Sequence, residues 1–136
     1  MAVRLLGPGD QDLVRGVLRR FKGYETSEPE EFMRDPRALL LIAEDNDDVV
    51  GWLYAYELIR PEGDRAMLLY EIEVDVEARR QGHGQELVEA LLAEARARRH
   101  SEVWVLTDSD NAAAGALYSV TGADETRQVM YTWDVS

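Results

Sequence analysis

With 136 residues the chain is long enough for one domain, spanning residues 1–136, with a single buried core. Aspartate and glutamate number 27 against 15 lysines and arginines, a formal net charge of −12 that repels nucleic acid and anionic membranes and draws in cations. The absence of cysteine excludes disulfides, thiolate metal sites and a sulfur nucleophile, and two histidines, His83 and His100, are too few for a multi-histidine metal centre. The longest apolar stretch, residues 38–43, cannot span a bilayer and no charged-then-apolar leader is present, so a soluble, cytoplasmic protein is expected.

Residues 2–6 read as a first strand. Pro8-Gly9-Asp10 then opens a helix with Leu13, Val14, Val17, Leu18 and Phe21 on one face. Ser27, followed by Pro29 and Glu30, has the chemistry of a cap for a second short helix, which Pro36 ends. Strands over 38–44 and 49–58 flank the hairpin sequence Asp45-Asn46-Asp47-Asp48, and Trp52, Tyr54, Tyr56 and Leu58 share one face of the second. A turn at Pro61-Glu62-Gly63-Asp64 leads to a strand over 67–76 and a helix over 84–98, whose stripe is Leu87, Val88, Leu91, Leu92 and Ala95. A strand over 102–107, a helix over 112–120 and a last strand over 128–135 complete the order β-α-α-β-β-β-α-β-α-β. Three consecutive strands without crossover helices disfavour a purely parallel sheet, so the expected class is α/β on a mixed, mostly antiparallel sheet with flanking helices. His100, among arginines at a helix end, reads as solvated.

The run Arg79-Arg80-Gln81-Gly82-His83-Gly84 joins the 67–76 strand to the 84–98 helix. The first N–H groups of a helix have no intrahelical partner and carry the positive end of its dipole, and glycine lets them approach a phosphate without a Cβ in the way. Taken alone, the hexapeptide reads equally as an anion cradle or as a tight turn with Gly84 as helix cap and both arginines solvated.

A second segment, Asn111-x-x-Ala114-x-x-Leu117-Tyr118-x-x-x-Gly122, changes that balance. With Arg79-x-x-Gly82-x-Gly84 before it, the chain resembles the GNAT superfamily of acetyl-CoA-dependent N-acetyltransferases, in good register from Met67 to Gly122. His83, Val76 and Ala123 depart from common family choices, and none removes a backbone donor. The resemblance implies that the 67–76 strand carries a bulge and splays from the 102–107 strand, seating the pantetheine arm of acetyl-CoA on backbone groups near Ile72, Glu73 and Val74. It implies that main-chain amides from about Arg80 through Gln81, Gly82, His83 and Gly84 to Gln85, next to Arg79, hold the pyrophosphate. Asn111 would bond the pantetheine or cap the helix that follows it.

Direct transfer from thioester to amine requires a neutral amine, a stabilised oxyanion and a protonated thiolate. A chain without cysteine cannot form a thioester intermediate on its own sulfur, so direct attack in a ternary complex is expected. By resemblance Tyr118 is the general acid for the coenzyme sulfur, a main-chain N–H near Val74 is the oxyanion donor, and Glu71 guides the acceptor amine, receiving its proton through water. Glu73 is the fallback for that role. No metal is expected.

A narrower likeness runs through Gly51-x-Leu53-x-Ala55-Tyr56-x-Leu58-x-Arg60, Tyr70-Glu71-x-x-Val74 and Arg79-Arg80-Gln81-Gly82. It is similar to the short aminoglycoside 3-N-acetyltransferases of the gentamicin/fortimicin type. An acceptor pocket lined by Tyr56, Glu71, Asp108 and Asp110 would suit such a cationic small molecule, with neither nucleic acid nor membrane as partner. Family habit implies a homodimer. The readings weighed beside this one are acetylation of a polyamine, another small amine or a protein N-terminus or lysine, and a non-catalytic coenzyme A sensor.

Overall fold

In the computed structural model, which describes residues 2–136, the chain runs β1 (Ala2–Leu5), α1 (Gln11–Lys22), α2 (Glu30–Arg34), β2 (Ala38–Asp45), β3 (Asp48–Ile59) and β4 (Arg65–Val74). A 3₁₀ turn (Val76–Ala78), α3 (His83–Ala97), β5 (Glu102–Val105) and α4 (Ala112–Val120) follow. The strands form one sheet in the order β1-β2-β3-β4-β5, with antiparallel pairing throughout except the parallel pair β4–β5. Parallel neighbours need a crossover, and α3 supplies it.

The local chemistry sets these elements. Asn46 and Asp47 both take positive φ (51° and 65°), the conformation a two-residue hairpin between β2 and β3 requires. Alternation along the strands loads both faces of the sheet. Leu39, Leu41, Leu53, Met67 and Leu69 pack against Leu87, Val88, Leu91 and Ala95 of α3. On the other face Leu40, Ile42 and Trp52 meet Leu6, Val14, Val17 and Met33 at the level of α1 and α2. Each fully buried aliphatic side chain of this kind contributes ~1.5–3 kcal/mol.

Three expectations are corrected. Ser27 does not cap α2, which begins after Pro29 and has no side-chain cap bond, because the proline ring already fixes the first helical dihedral. His100 is not solvated: its side chain is 0% exposed and its Nε2 lies 3.3 Å from Glu57 Oε1. Arg99, at φ 61°, reverses the chain after α3 and His100 N–H donates to the Ala95 carbonyl, which turns the imidazole inward. The last strand is the third correction, since residues 128–135 form no strand. A strand exists only through a paired neighbour, and that segment donates or accepts no backbone-backbone hydrogen bond.

Candidate active site

Strand β4 holds the centre of the site. Tyr54 pairs with Glu71 whereas Ala55 pairs with Leu69, so Tyr70 is an extra residue and β4 is bulged there. A bulge kinks its strand and re-aims side chains. Tyr70 stacks on Tyr54 with ring centroids 5.4 Å apart, and the next residue, Glu71, also accepts a hydrogen bond from Tyr54, so both serve the same face. Beyond the bulge β4 loses β5: their pairing ends at Leu69↔Val105, although β4 continues to Val74. Ile72, Glu73 and Val74 thus keep β3 on one side and have a free edge on the other. This is the bulged, splayed geometry expected of the strand.

The cradle follows. Arg80 (φ 65°) and Gly82 (φ 85°) both adopt left-handed backbone, and Gly82, rather than the expected Gly84, caps α3. The first helical bond of α3 runs from the Glu86 N–H to the Gly82 carbonyl. The amides of Arg80, Gln81, Gly82, His83, Gly84 and Gln85 have no hydrogen-bond partner among the described residues. This row of unpaired donors, at the positive end of a fifteen-residue helix, fits a diphosphate. The His83 ring is buried with both nitrogens unpartnered, so His83 can serve the cradle only through its amide. Arg79 folds back, its Nε donating to the Val74 carbonyl at 3.2 Å.

On the α1 and α2 side of the sheet lies a cavity of about 350 Å³ lined by Lys22, Tyr24, Phe32, Trp52, Tyr54, Tyr56 and Glu71, among others. The Glu71 carboxylate accepts hydrogen bonds from Lys22 Nζ (3.0 and 3.2 Å) and from the Tyr54 hydroxyl (3.1 Å). The hydrogen bond to Glu71 holds the Lys22 ammonium above its ordinary pKa. Burial, reinforced by the Glu71 charge, pushes the Tyr54 phenol well up, and burial with Tyr70 beside it also raises the Tyr56 phenol above its ordinary value. Both phenols are therefore neutral donors across the physiological range.

The structure brings Tyr56 and Glu71 into one cavity, while Asp108 and Asp110 lie on the exposed loop after β5, outside its lining. Asn111 caps α4, its Oδ1 accepting from the Ala114 N–H at 3.1 Å. Helix α4 approaches α3 at Gly84, where an added Cβ would stand 3.4 Å from Leu117. Tyr118 follows Leu117, is partly exposed, and has its phenol pKa raised by burial. Sequence reasoning missed Lys22, Tyr24, Phe32, Trp52 and Tyr54 as site residues. The shared face of Trp52, Tyr54 and Tyr56 is a signal for two of these aromatics; no local pattern marks Lys22.

The model of the Acetyltransferase (GNAT) family matches residues 12–123, and the chain belongs to that family. It is an N-acetyltransferase whose cosubstrate is acetyl-CoA. Among solved structures, an aminoglycoside acetyltransferase from an uncultured soil metagenomic sample is 25% identical, with a TM-score of 0.88 over 99% of this chain and 98% of that one. A second such enzyme, in complex with sisomicin, is 21% identical, with a TM-score of 0.82 over 99% and 95%. Ribosomal-protein-alanine N-acetyltransferase from Brucella melitensis biovar Abortus 2308 is also 21% identical, with a TM-score of 0.76 over 98% and 100%. At 21% identity these last two show the fold alone. No curated protein matches the chain. Among the described residues no helix is long and apolar enough to cross a membrane, and no acidic or histidine cluster could hold a metal ion.

Proposed function

We propose that this acetyltransferase acetylates a primary amine of a cationic, ring-bearing small molecule, an aminoglycoside, at its 3-amino group. One observation carries the reading: the bulged segment after Tyr70 offers a free backbone edge on the β5 side and sends Glu71 into the aromatic cavity. A single short stretch thereby serves both the cosubstrate and the acceptor. Acetyl-CoA supplies an activated acetyl thioester when bound.

The chain's residues divide the remaining work. Backbone groups of Ile72, Glu73 and Val74 align the pantetheine arm, with the Val74 N–H as oxyanion donor, and the amides from Arg80 to Gln85 hold the diphosphate. Glu71 attracts the acceptor ammonium. Its pairing with Lys22 keeps the carboxylate from holding that ammonium as a tight ion pair, which would raise the amine's pKa and oppose the deprotonation that attack requires. The proton leaves through water to Glu71, with Glu73 next along the strand. Tyr118 donates to the departing sulfur.

Aromatic faces at Trp52, Tyr54 and Tyr56 suit the flat faces of sugar rings and attract cations over their π-systems. The net charge of −12 raises the local concentration of a polycation. Incubation with acetyl-CoA and a gentamicin-class drug should release thiol and give a monoacetyl product with the acetyl group on the 3-amine. A polyamine and an alanine-terminated peptide, run alongside, should turn over far more slowly. Acetylation of one of these with no aminoglycoside product would overturn the acceptor assignment and leave the enzyme class intact.

The cradle has its own test. A β-branched residue at Gly82 meets left-handed backbone, which costs an L-residue about 1–2 kcal/mol, and places bulk beside the amides. Gly82→Val should weaken coenzyme A binding about tenfold or more, read by calorimetry, and the same strain should lower the thermal midpoint by several degrees while the chain stays folded at the temperature of the titration.

A further inference from the structure

Of the 15 lysines and arginines in the chain, 14 are arginine and Lys22 is the single lysine. Its Nζ is therefore the one side-chain primary amine the protein carries. A guanidinium keeps its proton and offers no lone pair for acylation, whereas a lysine amine can lose its proton and act as a nucleophile.

The fold puts that amine where an acceptor belongs. Lys22 closes α1, and Gly23 (φ 71°) caps the helix with its N–H on the Arg19 carbonyl, which fixes the point from which the side chain reaches. Nζ stands 3.2 and 3.0 Å from the two Glu71 oxygens, within the lining of the aromatic cavity. Glu71 lies opposite Tyr54 on β3 and immediately precedes the free edge of β4 at residues 72–74. With side chains 29% and 32% exposed, neither Lys22 nor Glu71 is sealed from a ligand. An ammonium brought to Glu71 by a substrate has to take the place that Lys22 Nζ holds.

We propose that Lys22 is itself an acetyl acceptor: with no amine bound, the enzyme acetylates its own Lys22 Nζ, and the resulting amide releases Glu71 for an external ammonium. The proposal rests on the acceptor role given to Glu71 above. The Lys22 ammonium gives one proton to Glu71, and the freed lone pair forms the N–C bond to the acetyl carbon. The C–S bond breaks, and its electron pair leaves on sulfur, which takes a proton from Tyr118. The second nitrogen proton returns through water to the Tyr118 phenolate, and Glu71 passes the first to solvent. The products are acetyl-lysine, coenzyme A thiol and one released proton. The Glu71 hydrogen bond favours the protonated amine, so self-transfer is slow and shows when no other amine competes.

Mass spectrometry of the full chain after incubation with acetyl-CoA alone tests this. Trypsin cuts after free lysine and not after acetyl-lysine, so the digest should contain an acetylated peptide of residues 21–34, distinct from any N-terminal product. The rate constant should not depend on protein concentration, and a saturating gentamicin-class drug should suppress the modification. In Tyr118→Phe the peptide should form ~10²-fold or more slowly, which spontaneous acetylation of a surface amine would not do. By calorimetry without acetyl-CoA, the drug should bind the acetylated chain about two- to fivefold more tightly than the unmodified one. Lys22→Gln, which also lacks the charge, should match the acetylated chain. An unmodified Lys22 beside normal acetylation of the drug would overturn the proposal and leave the acceptor reading standing. So would an unchanged drug affinity after acetylation, or equal self-transfer rates when Tyr118→Phe slows turnover of the drug. Transfer to neither Lys22 nor the drug, in a chain that binds coenzyme A, would overturn both the proposal and the acceptor role of Glu71.

Discussion

Tyr118→Phe should lower kcat by ~10²–10⁴-fold, the range a positioned general acid supplies, while coenzyme A affinity stays unchanged. On the proposed mechanism the two effects separate, because main-chain amides and strand edges would hold the cosubstrate and the phenol would act only as the sulfur leaves. Burial raises the Tyr118 pKa above its ordinary 10.0, so the group remains protonated at every pH where the enzyme would work. The sign follows: a raised phenol keeps its proton as pH rises, and any alkaline loss of kcat attributable to Tyr118 should fall above pH 10.0. Equal loss of binding and turnover in the variant would instead mark Tyr118 as a packing residue of α4. Steady-state kinetics with calorimetry on the same preparation distinguishes the two.

Glu57→Ala should destabilise the fold by about 3 kcal/mol, toward the lower end of what removing one partner of a buried ion pair costs. The Glu57 side chain is 4% exposed and accepts from Arg98 Nη1 at 2.8 Å and Arg65 Nη1 at 2.9 Å, with His100 beside it. Both arginines keep some solvent, which moderates the loss. Burial pushes the Glu57 carboxyl up, but the Arg98 hydrogen bond and charge, with His100 and Arg65, more than reverse it, leaving the pKa below the ordinary glutamate value of 4.5. A depressed carboxylate contributes its stability above the unfolded pKa and loses it as pH falls through the folded one. Chemical denaturation at neutral pH should show the full difference between wild type and variant, and the difference should shrink below pH 4.5. An unchanged midpoint at neutral pH would mean the cluster carries no net stability.

These two residues show what can and cannot be read before folding. The periodicity of Leu87, Val88, Leu91 and Ala95 announces α3, and Asn46-Asp47 announces its hairpin, because each rests on neighbours within a few positions. The glycines of the cradle are legible for the same reason: left-handed backbone and an unpaired helix start are local properties. Glu57 meets Arg98 across 41 positions, and Lys22 meets Glu71 across 49, so no window of sequence contains either contact. Tyr70's bulge is likewise invisible in the alternation of β4, since it depends on the register that β3 imposes. Asp108 and Asp110 stand out through charge alone, and charge does not specify the loop's direction. The segment 128–135 carries the pattern of a strand, but alternation does not supply a neighbour, and no backbone group among the described residues pairs with it.

Calorimetric titration of the intact chain with coenzyme A, and separately with pantetheine, which lacks the diphosphate, tests most directly whether the amides from Arg80 to Gln85 grip that group. Coenzyme A should bind one site per chain, and pantetheine should bind at least tenfold more weakly, about 1.4 kcal/mol or more in free energy. Equal affinities, or no heat with coenzyme A, would contradict the cradle as the cosubstrate's anchor.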